Sequence, residues 1–229
     1  MADSITIDPH KWFYAPLDAA AVLVKDQRRL TASFGIKPSY LNDELDFSNE
    51  RYQYCVHGFE QSRRFRSLKV WMSFKRYGAK QIGEWIDNNV RQAQHLYALA
   101  QNDSSFEPAS RPPMSAICIR FRDAELDARE SKALHAEVAQ RTEESGRFWI
   151  STTELKGTTY FRINPVNFRI RQEHIQKLFR FLKQECLSAL RLLGQNGNLR
   201  VSPHGVTDWL ARFASTLAFL ASELERSGE

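Results

Sequence analysis

The chain has 229 residues, of which 42% are apolar, 26% charged and 12% aromatic, close to the average for soluble globular proteins, which excludes disordered, collagen-like and disulfide-scaffold classes. The 32 basic and 27 acidic residues leave a net charge of +5, too small and scattered to make nucleic acid the expected partner, although an anionic small ligand stays open. Cys55, Cys118 and Cys186 are odd in number and lack Cys-x-x-Cys spacing, and no apolar run approaches the roughly 18 residues of a membrane span, so a reducing cytoplasm is the expected setting.

In chain order, Ser4-Ile5-Thr6-Ile7 alternates like a short strand and runs into Asp8-Pro9-His10-Lys11-Trp12, where the proline forces a turn. Ala19 to Val24 is a continuous apolar run and reads as a buried strand. From Gln27 to Gln61 the composition is polar and irregular, punctuated by Gly35, Pro38 and Gly58, and a loop of that length is usually functional or disordered. Arg63 to Tyr77 places Phe65, Leu68, Trp71, Met72 and Phe74 at helical spacing, with Gly78 as a stop, and Ala79 to Gln101 repeats the pattern. Two consecutive helices are predicted.

Ala116 to Phe121 reads as a strand, Glu125 to Ser145 as a charged amphipathic helix, Phe148–Thr152 and Thr158–Ile163 as strands, and Gln172 to Leu193 as a further helix. This is an α+β unit. Gly194 to Asn198 has the composition of a flexible linker. Beyond it, Val206, Leu210, Phe213, Leu217, Leu220 and Leu224 recur at spacings of three and four, the pattern of an amphipathic helix whose stripe needs a partner.

Lys11 is the first candidate for chemistry, since it follows a proline turn at a strand end between His10 and Trp12. A lysine in isolation is ordinarily a solvated charge, whereas one in a burying environment becomes a nucleophile suited to Schiff-base formation. Arg63, Arg64 and Arg66 fit either carboxylate or phosphate binding or a salt-bridged helix start, and both readings stay open. His57, His95, His135, His174 and His204 have no mutual ligand spacing, so no metal site is expected.

The segment Ser4 to Trp12 resembles the cofactor-lysine segment of the group II pyridoxal-phosphate decarboxylases, the family that includes aromatic-L-amino-acid decarboxylase. Four further blocks follow in the family's order: Leu17 to Ala21 with Val24-Lys25-Asp26, Lys37 to Leu41, Arg63 to Trp71, and Tyr160 to Ile163 with Val166 to Arg169. The resemblance covers residues 2 to about 188.

The resemblance implies a truncated α/β chain of the fold type I pyridoxal-phosphate transferase-like architecture. Residues 1–68 would be the end of the large cofactor domain with its catalytic loop, 69–193 the small C-terminal α+β domain, and 194–229 a linker and tail helix. It further implies that Lys11 forms a Schiff base with pyridoxal 5'-phosphate, that His10 hydrogen-bonds the cofactor's phosphate, and that Tyr40 on a mobile loop donates the proton after CO2 loss. In similar enzymes that oxidise amines to aldehydes, phenylalanine stands at the Tyr40 position, so Tyr40 favours simple decarboxylation. An L-amino acid, aromatic by preference, is the implied substrate and a homodimer the implied assembly. The stacking aromatic ring and the acidic partner of the pyridine nitrogen have no counterpart here by motif. A second reading is therefore a non-catalytic remnant that still binds cofactor or associates.

Overall fold

The computed structural model describes residues 2–36, 53–60 and 62–196, and forms two compact units, Met1–Asn88 and Asn89–Glu229. Tyr40 and the predicted tail helix lie outside the described residues.

In the first unit, β1 (Ser4–Ile7) pairs antiparallel with β2 (Ala21–Val24), in a register running from Ser4 opposite Val24 to Ile7 opposite Ala21. The reading of Ala19 to Val24 as a buried strand is corrected here, because Val22 and Leu23 are each 56% exposed. A strand apolar on both faces is buried only when layers cover both; among the described residues the sheet has two strands, and the side chains of β2 stay open to solvent. The polar stretch after it is also not wholly irregular. A short helix, α1 (Arg28–Phe34), starts where the Asp26 carboxylate accepts the Arg28 N–H at 3.1 Å, and Tyr54–Val56 forms one tight helical turn. Neither carries a long apolar repeat, which is why periodicity misses them.

Helix α2 (Arg66–Gln101) joins the two predicted helices, starting three residues later than the pattern suggests, and is broken where expected, since Gly78 has φ 76° and ψ 157°. That backbone region is essentially closed to residues with a Cβ.

The second unit is an antiparallel sheet ordered β3-β4-β6-β5, with β3 (Phe106–Pro108), β4 (Ile117–Phe121), β5 (Ser151–Leu155) and β6 (Thr158–Ile163). The edge strand β3 was not predicted; it is three residues long and ends on a proline, which an edge tolerates because no further ladder donor is required there. β5 begins three residues later than the pattern suggests. Its register with β6 is fixed by the two-residue Lys156-Gly157 turn, where both residues have positive φ, the geometry that matches hairpin twist.

Two helices, α3 (Ala128–Glu144) and α4 (Gln172–Asn196), complete the unit together with the C-terminal part of α2, from Asn89 onward. Helix α3 starts with a capping box in which Glu130 N–H donates to Asp127 Oδ1 at 2.8 Å and Asp127 N–H donates to Glu130 Oε2 at 3.0 Å. The core brings Ile117, Ile119 and Phe121 of β4 and Phe161 of β6 against Leu134, Val138, Leu182 and Cys186 of the helices, all at most 4% exposed. The alternation of buried and half-buried residues along β4 is what one covered sheet face requires. Burial pushes the Cys186 thiol well above its ordinary range, so it behaves as a small apolar core residue.

Candidate active site

The β1–β2 connection is the part of the first unit that carries Lys11, and its shape follows from backbone hydrogen bonds. Lys11 N–H donates to the Asp8 carbonyl at 2.9 Å, Ala15 N–H to the Pro9 carbonyl at 3.1 Å, and His10 N–H to the Ala19 carbonyl at 3.4 Å. Pro9 contributes a fixed φ and needs no donor partner. The turn is pinned to α2 by aromatic edges: Phe13 meets Phe74 at 5.6 Å and Tyr14 meets Trp85 at 5.5 Å, both near perpendicular.

Within this turn Lys11 points outward. Its side chain is 69% exposed, and Nζ donates to Asp8 Oδ2, three residues earlier. The burying environment expected for a reactive lysine is therefore not provided by the described residues. His10 is half-buried, with Nδ1 turned to the Ala19 main chain, whose N–H lies 3.3 Å away. That contact engages Nδ1 and orients the ring. The Lys11 hydrogen bond, above all, holds the Asp8 carboxyl below its usual range, with the charge on Lys11 and His10 acting in the same direction.

Beside the turn lies a cleft of about 700 Å³, lined by Pro9 and Ala19–Ala21 on one side and by Tyr54, Arg63–Ser67, Val70, Trp71 and Phe74 on the other. Lys11 and His10 do not line it, although Pro9 next to them does. The three arginines separate in role. Arg66 bonds Asp18 at 2.7 Å and Glu60 at 3.3 Å, and Arg63 lies 3.5 Å from Glu60 with its guanidinium 5.3 Å from the Tyr54 ring centre. Arg64 is exposed, lines the cleft, and has no ion-pair partner among the described residues. Asp18 and Glu60, which organise this cluster, were not singled out from sequence; nothing in local spacing links Asp18 to a residue 48 positions away. Asp8 was missed as well, though its three-residue spacing from Lys11 was a readable signal.

Two side chains of this turn have the chemistry that pyridoxal phosphate asks of its donors. Lys11 presents an accessible amine for an aldehyde, and His10 presents an imidazole edge for a phosphate oxygen. The structure brings these two together on one turn and leaves Tyr40 outside the described residues.

The architecture matches pyridoxal-phosphate decarboxylases of known structure. A rice enzyme solved with PLP and tryptamine superposes with a TM-score of 0.74 at 26% identity, covering 81% of this chain and 39% of that one. Tryptophan decarboxylase from Catharanthus roseus shares the fold at TM-score 0.70 and 21% identity, over 81% of this chain and 39% of that one. The family model described as the pyridoxal-dependent decarboxylase conserved domain matches residues 1–122, and the chain belongs to that family. Its similarity to aromatic-L-amino-acid decarboxylase of Bacillus atrophaeus is 29% identity over 183 residues, 80% of this chain and 38% of that enzyme. Tyrosine decarboxylase 3 of Petroselinum crispum is 28% identical over 206 residues, covering 82% of this chain and 40% of that enzyme. The chain thus spans about two fifths of the length of the curated relatives it matches. Among the described residues no helix is long and apolar enough to cross a membrane.

Proposed function

We propose that this chain carries the lysine end of a pyridoxal-phosphate-dependent amino-acid decarboxylase site, with Lys11 as the cofactor-bearing amine, His10 as a phosphate ligand and Tyr40 as the proton donor. The observation that carries the reading is the Asp8 to Ala15 turn. It fixes an accessible amine and an oriented imidazole side by side, next to an aromatic- and arginine-lined cleft, in a member of the decarboxylase family. The domain division at 1–68, 69–193 and 194–229, an aromatic L-amino acid as substrate, a homodimer as the working assembly and a cytoplasmic location belong to the same proposal.

Pyridoxal phosphate, when bound, supplies an electron sink for the pair released as the α-carboxylate leaves as CO2. The rest is the work of this chain's own groups. Lys11 offers a primary amine at a position held by three backbone hydrogen bonds. His10, its Nδ1 turned to Ala19, offers Nε2 to an anionic oxygen. Tyr40 would return a proton to the substrate carbon after CO2 departs. Aromatic side chains in the cleft, Tyr54, Trp71 and Phe74, suit an aromatic substrate.

The exposure of Lys11 favours a second reading, a chain that binds cofactor without turnover. The two are separated by incubating purified chain with pyridoxal phosphate, reducing with borohydride and mapping the adduct by mass spectrometry. The proposal expects the adduct at Lys11 and CO2 release from tyrosine, dihydroxyphenylalanine or tryptophan. An adduct at Lys11 without CO2 supports the second reading, and labelling elsewhere or nowhere overturns the assignment of Lys11.

A further inference from the structure

Asp8 stands apart from the other acidic residues of the first unit. Asp18 binds Arg66 across 48 positions of sequence, Glu60 binds the nearby Arg63 and Arg66, and Asp26 takes the N–H and guanidinium of Arg28. Asp8 instead accepts a hydrogen bond from the one amine the proposed function requires to react. The arrangement is built by the backbone: Lys11 N–H closes onto the Asp8 carbonyl, which places the two side chains on the same side of a three-residue turn, and Pro9 between them removes a backbone degree of freedom.

Stability is a poor explanation for the pair. The Lys11 side chain is mostly solvated, and exposed ion pairs of this spacing contribute little to folding because solvent screens them and two side chains lose freedom. A role in handling the amine explains the geometry better. A lysine that alternates between a bonded and a released state needs a defined place for the released amine, close enough to return and unable to wander into solvent.

We propose that Asp8 is a positioning residue that holds the Lys11 amine whenever Lys11 is not bonded to cofactor, an inference that rests on Lys11 being the cofactor-bearing lysine. The amine must leave this carboxylate and lose a proton before its lone pair can attack. Asp8 therefore sets how readily Lys11 reacts without touching cofactor or substrate. His10, the other titratable neighbour that acts on Asp8, lies between them in the same turn and is oriented by Ala19.

The test uses the full cofactor-free chain and does not depend on turnover. Limited acetylation with N-acetoxysuccinimide, followed by peptide mapping, gives the labelling rate of Lys11 relative to Lys25 as internal reference. Asp8→Asn is expected to raise that ratio by about 2- to 5-fold, and Asp8→Glu, which restores a carboxylate within reach of a flexible lysine, to bring it back toward the wild-type ratio. Formation of the borohydride-trapped pyridoxal phosphate adduct at Lys11 is expected to accelerate by a similar factor in Asp8→Asn. An unchanged acetylation ratio in Asp8→Asn, with an unaltered far-ultraviolet circular dichroism spectrum, overturns the proposal. If Asp8→Asn loses its helical signal, Asp8→Ser is read in the same way. A raised acetylation ratio with no pyridoxal phosphate adduct in either chain keeps the holding contact and overturns the cofactor assignment instead.

Discussion

Arg66 Nε donates to Asp18 Oδ2 at 2.7 Å, and this one bond joins the turn before β2 to the first residue of α2 across 48 positions of sequence. Glu60 and Lys69 extend it into a network, with Arg66 Nη1 at 3.3 Å from Glu60 and Lys69 Nζ at 3.4 Å from Asp18. Arg66, the centre of the network, also lines the arginine-lined cleft.

Arg66 is the main reason the Asp18 carboxyl sits far below the ordinary value of 3.8. A carboxyl whose folded-state value is depressed stabilises the fold fully above its unfolded value and loses that contribution as the pH falls below it. The urea midpoint of the wild-type chain should therefore exceed that of Asp18→Asn at neutral pH, and the gap should begin to narrow only below about pH 3.8, closing as the folded chain itself becomes protonated at Asp18. Tryptophan fluorescence reads this directly, since Trp12, Trp71 and Trp85 lie in the same unit. Equal midpoints at neutral pH would show that the network does not stabilise the fold.

His135 supplies a second, opposite view of protonation. It is fully buried, donates from Nδ1 to the Ser131 carbonyl at 2.7 Å, accepts from Phe121 N–H at Nε2 at 3.1 Å, and packs on Phe161 with ring centres 4.5 Å apart. Burial, aided by the nearby Arg120 charge, pushes the imidazole below its ordinary value of 6.5 and keeps it neutral, although the Ser131 bond pulls the other way. Stability is thus complete above 6.5 and falls as the pH drops below it, because the unfolded chain takes up the proton first. His135→Ala should cost about 2–4 kcal/mol, from the cavity and the orphaned Phe121 N–H, and should flatten the pH dependence below about pH 6.5. Chemical denaturation across that range checks both effects.

The two glycines of α2 should respond in opposite directions. Gly78 adopts φ 76° and ψ 157°, so Gly78→Ala should cost about 1–3 kcal/mol even though space is available around it. Gly83 lies within the helix with nothing within 4 Å of an added Cβ, so Gly83→Ala should stabilise by up to about 1 kcal/mol. A stabilising Gly78→Ala in thermal unfolding would mean that the break in the helix is not held by the fold.

Tyr40→Phe tests the proposed proton donor. Without the phenol, product from an aromatic L-amino acid in aerated buffer should shift from amine toward aldehyde and ammonia, with dissolved O2 reduced to peroxide, measured by chromatography and a peroxide assay. An unchanged amine yield would remove Tyr40 from the proposal.

Much of this fold is legible in the amino-acid sequence. Apolar periodicity gave the two halves of α2, α3, α4 and strands β4 and β6, because amphipathic spacing is a local property of the chain. Gly78 was visible as a break for the same reason: a residue without a Cβ between two apolar repeats is where a helix can turn aside. The candidate lysine, too, came from a contiguous nine-residue segment and the ordered blocks behind it.

What the sequence could not determine was environment. Val22 and Leu23 read as buried because their own composition is that of a covered strand, yet coverage depends on which other segments pack there, and in this structure both remain exposed. The partner of Arg66 could not be read either, since Asp18 becomes its neighbour only when the β1–β2 connection folds against α2. Residue type and spacing determine what a segment can become. Burial, ion pairing and the direction in which Lys11 points are properties of contacts between distant segments, and the tertiary structure alone decided them.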